Sequence, residues 1–161
     1  MLKLTTTIAL LFLTVAGSFA QINPAKLKIN ELIGLTSTYA RVVKAFGRPV
    51  HDGKPKFAAC IGGKEKATDY AGLGLYFADT RDGKTFELAS FSVTSAKWAV
   101  SGLRIGDSQA IVKAKFGTKY TVDRVAGSGS ISWGYDDADV ATTVVFKKGK
   151  VVEINSGYMM C

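Results

Sequence analysis

Two rhythms of apolar and polar positions run along the chain. In IGLTSTYARVVKAFG (33–47) the apolar Val42 and Phe46 stand four residues apart, and in LRIGDSQAIVKAKFG (103–117) Val112 and Phe116 do the same. That spacing puts each pair on one face of a helix. An apolar pair two residues apart precedes each helix, Ile33 with Leu35 and then Leu103 with Ile105. Thr38 and Ser108 fall where a hydroxyl caps the first turn, and Gly47 and Gly117 fall where a helix takes a left-handed closing residue. The marks predict two helices of about two turns each, too short to persist unless one face packs against something larger.

A period of two follows each helix. KFAACIGG (56–63) and GLGLYFADTRDGKTFELASFSV (72–93) come after the first, SISWGY (130–135) and VATTVVFKKGKVVEINSGYM (140–159) after the second. Gly83 and Gly149 sit where hairpin turns need a positive φ. The predicted fold is therefore α+β, two repeats of a short helix plus an antiparallel β-meander, spanning 21–100 and 101–161. No Pro/Ser linker separates them, so one body with a shared or continuous sheet is expected. Simple alternation turns Phe86, Leu88, Val152 and Ile154 towards the helices, and Glu87, Ala89, Phe91 and Glu153 away from them.

The run Leu103-Arg104-Ile105-Gly106-Asp107-Ser108, followed by Val112, Phe116-Gly117 and meandering strands, resembles the SmpA/OmlA (BamE-like) module. Two in tandem are similar to the beta-lactamase inhibitory proteins. The resemblance implies a protein that works by binding other proteins rather than by catalysis. The first copy departs from the pattern, with Thr36 in the place of Gly106.

Residues 1–20 have the form of a secretory signal peptide: Lys3, an apolar core at 7–16, and the small residues Ser18 and Ala20 before Gln21. The expectation is a periplasmic or secreted protein without membrane insertion. The net charge of +8 falls to +7 once Lys3 is removed with this segment. Such a balance suits an acidic protein partner, but no basic run or basic helix marks a nucleic-acid binder. Cys60 and Cys161 are an even pair in an oxidising compartment, and a disulfide between them is expected. The oligomeric state is not legible.

Candidate chemistry is sparse. His51 is the single histidine and lacks the partners a base or metal ligand requires. Asp82-Gly83-Lys84-Thr85 is no phosphate loop, because Ala78 stands where the motif's first glycine belongs and a strand follows instead of a helix. Gly72-Leu73-Gly74 fails as a dinucleotide fingerprint, with Phe77 at the third glycine. No cofactor is expected. Asp136, Asp137 and Asp139 offer oxygen ligands for calcium, which makes a small-ligand or calcium-binding periplasmic protein the alternative function. The leading expectation is a non-enzymatic exported protein-binding module, in its narrower forms an inhibitor of a secreted hydrolase or an envelope-assembly factor. Phe91, Trp98, Trp133 and Tyr135 are the expected contact residues, since aromatics dominate binding hot spots.

Overall fold

A computed structural model describes residues 22–59, 61–79, 84–125, 130–137 and 139–158. After a 3₁₀ turn at Pro24–Lys26, two short strands, β1 (Lys28–Ile29) and β2 (Ile33–Gly34), pair with each other. Helix α1 (Tyr39–Phe46) follows, then β3 (His51–Asp52), β4 (Lys56–Ala58), β5 (Gly63–Tyr70), β6 (Leu73–Asp79) and β7 (Phe86–Val93). Helix α2 (Gln109–Phe116) leads into β8 (Thr121–Val125), β9 (Ser130–Asp137), β10 (Val140–Lys147) and β11 (Lys150–Tyr158). Nine strands form one antiparallel sheet in the order β3-β5-β6-β7-β11-β10-β9-β8, with β4 also pairing with β5.

The fold is α+β, with a large antiparallel sheet and two helices. The sheet is continuous across the boundary at 100–101, because β7 pairs with β11 between Val93 and Ile154. Two matching helix-plus-meander repeats are not shown. One outer side of β5 is shared by the fragments β3 and β4, whereas the opposite edge is the five-residue β8. KFAACIGG yields only the three-residue β4, and the main strand beyond it, β5, has the polar sequence GKEKATDY.

Both helices end where their glycines stand, with φ at 80° in Gly47 and in Gly117. Their apolar stripes sink Val42, Val112 and Phe116 into one core with Leu73, Phe77, Leu88, Val93, Val144, Phe146 and Ile154. Burying such side chains stabilises by about 1.5–3 kcal/mol each, and this holds eight-residue helices that would not persist alone.

Two β-bulges decide which residues point into that core. The first lies at Ala89, between the pairs Tyr76↔Ser90 and Phe77↔Leu88. The second lies at Val152, between Val145↔Glu153 and Phe146↔Val151. An extra residue on one strand reverses the alternation beyond it. Leu88 and Phe91 therefore both face the helices, as do Val151 and Ile154.

Candidate functional site

The other face of the sheet carries neither helix. Registers place Asp69, Gly74, Ser92, Asn155, Thr143 and Gly134 side by side along one row across it. The next row is Ala67, Tyr76, Ser90, Gly157, Ala141 and Asp136. On β6, β7, β11 and β10 these side chains are small except Tyr76, and the face holds a shallow trough of about 450 Å³. Gly157 is required there, because a Cβ would collide with Ser90 of the neighbouring strand.

Carboxylates stand on all four sides of this floor. Asp69 on β5 and Asp136 on β9 flank it, while Glu153 and Glu87 close its two strand-wise ends. The Ser92 hydroxyl donates to Glu153 Oε1 at 3.3 Å. Asp69, Glu87 and Asp136 have no ion pair among the described residues. Basic side chains of this face lie outside the ring. Lys56 pairs with Glu65 at 3.0 Å on the β4 edge, and Lys147 and Lys150 occupy the β10–β11 turn.

The four expected contact aromatics are elsewhere. Phe91, Trp98, Trp133 and Tyr135 are 3–4% exposed and belong to the core on the helix side, so none offers an exposed contact surface. Simple alternation points Phe91 outward, and the bulge at Ala89 turns it in. Trp98 packs on Phe46 and Tyr70 and donates from Nε1 to the Ala71 carbonyl at 2.9 Å. Trp133 lies against Tyr120 and Phe146, with Lys113 over its ring at 4.9 Å. The Tyr135 hydroxyl is buried without a hydrogen-bond partner among the described residues. Burial, with Tyr120 adding to it, pushes that phenol up to about 12, so it stays neutral.

A polar cluster that sequence inspection missed joins α1 to β3 and β5. The Asp52 carboxylate accepts from Tyr39 Oη (2.8 Å), Lys66 Nζ (2.9 and 3.0 Å) and Thr68 Oγ1 (3.1 Å). Lys66 also lies 3.7 Å from the centre of the Tyr39 ring. Partial burial would raise the Asp52 carboxyl, but the bonds from Lys66, Tyr39 and Thr68 outweigh it and hold the group below its usual value. Burial likewise opposes the charge on Lys66, and Asp52 and Tyr39 hold its ammonium above the usual range. An ionised acid saturated with donors and a firmly protonated amine form a structural pair, with neither a free base nor a nucleophile. Only the register Asp52↔Thr68 unites these residues, and no motif announces it.

Among the described residues no group of His, Cys, Asp and Glu is arranged to hold a metal ion. Asp136 and Asp139 are exposed near the β9–β10 turn, and of Asp137 the backbone alone is described. His51 is exposed on the β3 edge, opposite Asp69. Cys60, Cys161, Gly83 and the segment 1–20 lie outside the described residues. No helix among those described is long and apolar enough to cross a membrane.

No family model and no curated protein matches the chain. Solved structures do. An extracellular protein containing an SCP domain from Bacillus anthracis str. Ames matches with a TM-score of 0.51 at 8% identity, over 99% of this chain and 51% of that one. The chain thus spans about half the length of that protein. A DUF4309 family protein from Bacillus subtilis subsp. subtilis str. 168 matches at 0.44 and 18% identity, over 76% and 78% of the two chains. A cysteine-rich secretory protein from Staphylococcus aureus subsp. aureus Mu50 matches at 0.48 and 15%, over 78% and 43%. The likeness to the Bacillus anthracis protein, with two matching helix-plus-meander repeats not shown, overturns the SmpA/OmlA (BamE-like) resemblance: the short motif that suggested it describes a local helix junction and not the family. What the chain shares, with the Bacillus anthracis protein, is a fold.

Proposed function

We propose that the chain is a non-enzymatic exported binding protein, and that it meets a protein partner with the helix-free face of its sheet. The observation that carries this reading is the trough across four central strands, floored mostly by small side chains beside Tyr76 and left uncovered by either helix. Sheet faces that need covering for stability present many large apolar residues, and this one presents mostly Gly, Ser, Ala, Thr and Asn, with Tyr76 among them. The trough is open and shallow. It encloses too little of a small molecule to bind one tightly, which favours a macromolecular partner. Export is supported by the signal-like residues 1–20 and by the extracellular description of the Bacillus anthracis protein. Inhibition of a secreted hydrolase is the narrower form of this proposal. A Cys60–Cys161 disulfide belongs to it as well, and non-reducing mass measurement with alkylation tests that bond.

The test is capture from an extracellular or envelope extract by the immobilised wild-type chain and by the floor variants Ala141→Arg and Thr143→Arg. Partners held by the wild type and lost by both variants, with circular dichroism unchanged, are expected. Equal capture by all three removes this face as the contact. Stoichiometric loss of activity when the chain is titrated into the captured hydrolase would establish the inhibitor form.

A further inference from the structure

The charges nearest the helices and nearest the trough differ in sign. Helices α1 and α2 contain Arg41, Lys44, Lys113 and Lys115 and no acidic residue, and the leading segment adds Lys26 and Lys28 against Glu31. The trough on the opposite face is ringed by Asp69, Glu87, Glu153 and Asp136. The net positive charge therefore describes the wrong side for contact with an acidic partner at the trough.

From this we infer that the trough receives a cationic segment of the partner, an extended Lys/Arg-bearing stretch lying across the strands. The inference rests on the binding face proposed above and adds the chemistry of its occupant. The floor supplies room for backbone, with Ser90, Ser92, Thr143 and Asn155 as hydrogen-bonding groups, and the rim supplies charge. Asp69 and Asp136 are five strand spacings apart in the sheet order, on the order of 24 Å at about 4.8 Å per spacing. About seven residues of extended chain cover that distance. At roughly 0.15 M salt the Debye length is about 8 Å, so the rim acts on such a segment while the basic helix side, beyond the sheet, is screened.

The probe is a synthetic Lys/Arg-rich peptide of about ten residues, long enough to cross the trough, titrated into the ¹⁵N-labelled full chain at physiological salt. A Glu-substituted peptide and N-acetylglucosamine oligomers serve as the other arms. The cationic peptide is expected to shift the amides of Ser90, Ser92, Thr143, Asn155 and Gly157. Asp69→Asn, Asp136→Asn and Glu153→Gln are each expected to weaken it about two- to five-fold, the range of an exposed ion pair, with the triple variant losing roughly ten-fold or more. Glu31→Gln, which changes the charge equally but away from the trough, is expected to leave binding unchanged. Equal weakening by Glu31→Gln, or cationic binding indifferent to the triple variant, overturns the inference. So does binding of the acidic peptide or the oligosaccharide at the same floor, but that result leaves the binding face standing. If no probe shifts the floor amides, the cationic occupant is rejected, and the arginine floor variants decide the face separately.

Discussion

The junctions that fasten α1 and α2 to the sheet use the same backbone bonds and different side chains. At the first, Thr36 N donates to Leu88 O (2.8 Å) and Leu88 N to Ser37 O (2.9 Å). At the second, Gly106 N donates to Val151 O (2.8 Å) and Val151 N to Asp107 O (2.9 Å). Residues 36 and 106 both take positive φ, 65° and 97°, although one is a threonine and the other a glycine. Ser37 Oγ accepts from Gly34 N at 3.3 Å, and Asp107 Oδ2 accepts from Arg104 N at 2.8 Å. At the caps the junctions part. Thr38 Oγ1 accepts from Arg41 N at 3.3 Å, whereas Ser108 makes no side-chain cap bond. The geometry is thus demanded by the sheet, and several residue types meet the demand at different energetic cost. Asp107 and Ser108, which look like candidate chemistry in a glycine turn, form part of this fastening.

The largest expected effect separates the two apolar anchors. Phe116 is 4% exposed and packs on Tyr135, while Phe46 is half-buried against Trp98 and Tyr70. Phe116→Ala is expected to destabilise by about 3–5 kcal/mol and Phe46→Ala by less, as urea melts measure. Equal losses would show that the two helices bear the same load.

Next come the positive-φ residues, with opposite signs. Thr36→Gly removes a β-branched residue from a left-handed conformation and is expected to stabilise by about 1 kcal/mol. Gly106→Thr introduces that strain at a position where a Cβ meets nothing within 4 Å, so it is expected to cost about 1–3 kcal/mol from the backbone alone. Thermal melts of both variants check the signs, and a destabilised Thr36→Gly protein would mean that the side chain matters more than its strain.

The caps differ by less. Thr38→Ala is expected to lose about 1 kcal/mol, while Ser108→Ala stays within a few tenths because it has no cap bond to lose. A larger loss at Ser108 in denaturant titration would reveal a cap that forms in solution.

The smallest effect is a pH dependence confined to the α1 side. Asp52 is held below its unfolded value, so its contribution is present above about pH 4 and is lost as pH falls through the folded value. Lys66 is held above its unfolded value, so its contribution is present below about pH 10.4 and fades as pH rises through the folded value. Asp52→Asn is expected to flatten the acid limb of stability against pH, and an unchanged limb assigns that limb to other carboxylates.

Much of the local structure was legible along the chain. Thr38, Ser108, Gly47 and Gly117 mark the helix ends where they occur, and the Lys148-Gly149 turn, with φ at 50° and 73°, makes the last hairpin. These features depend on a few neighbouring residues, and the sequence carries them directly. The strands β5 and β8 escape a reading by hydrophobic alternation because charged and polar residues fill much of them, although each pairs with its neighbour along the chain, β5 with β6 and β8 with β9.

The faces of the sheet were decided only by tertiary structure. Alternation has a period of two, and one extra residue at Ala89 or Val152 inverts every assignment beyond it. No local preference announces those bulges, because they arise from fitting β7 to β6 and β11 to β10. The fit at Ala89 turns Phe91 inward, the β3–β5 register brings Asp52 to Thr68 and Lys66, and the registers of the other strands leave carboxylates around a floor of mostly small side chains. Composition alone determined that the chain is basic. The registers determined that its uncovered face is ringed by acid, since a sheet sorts residues by parity and pairing and not by their order in the chain.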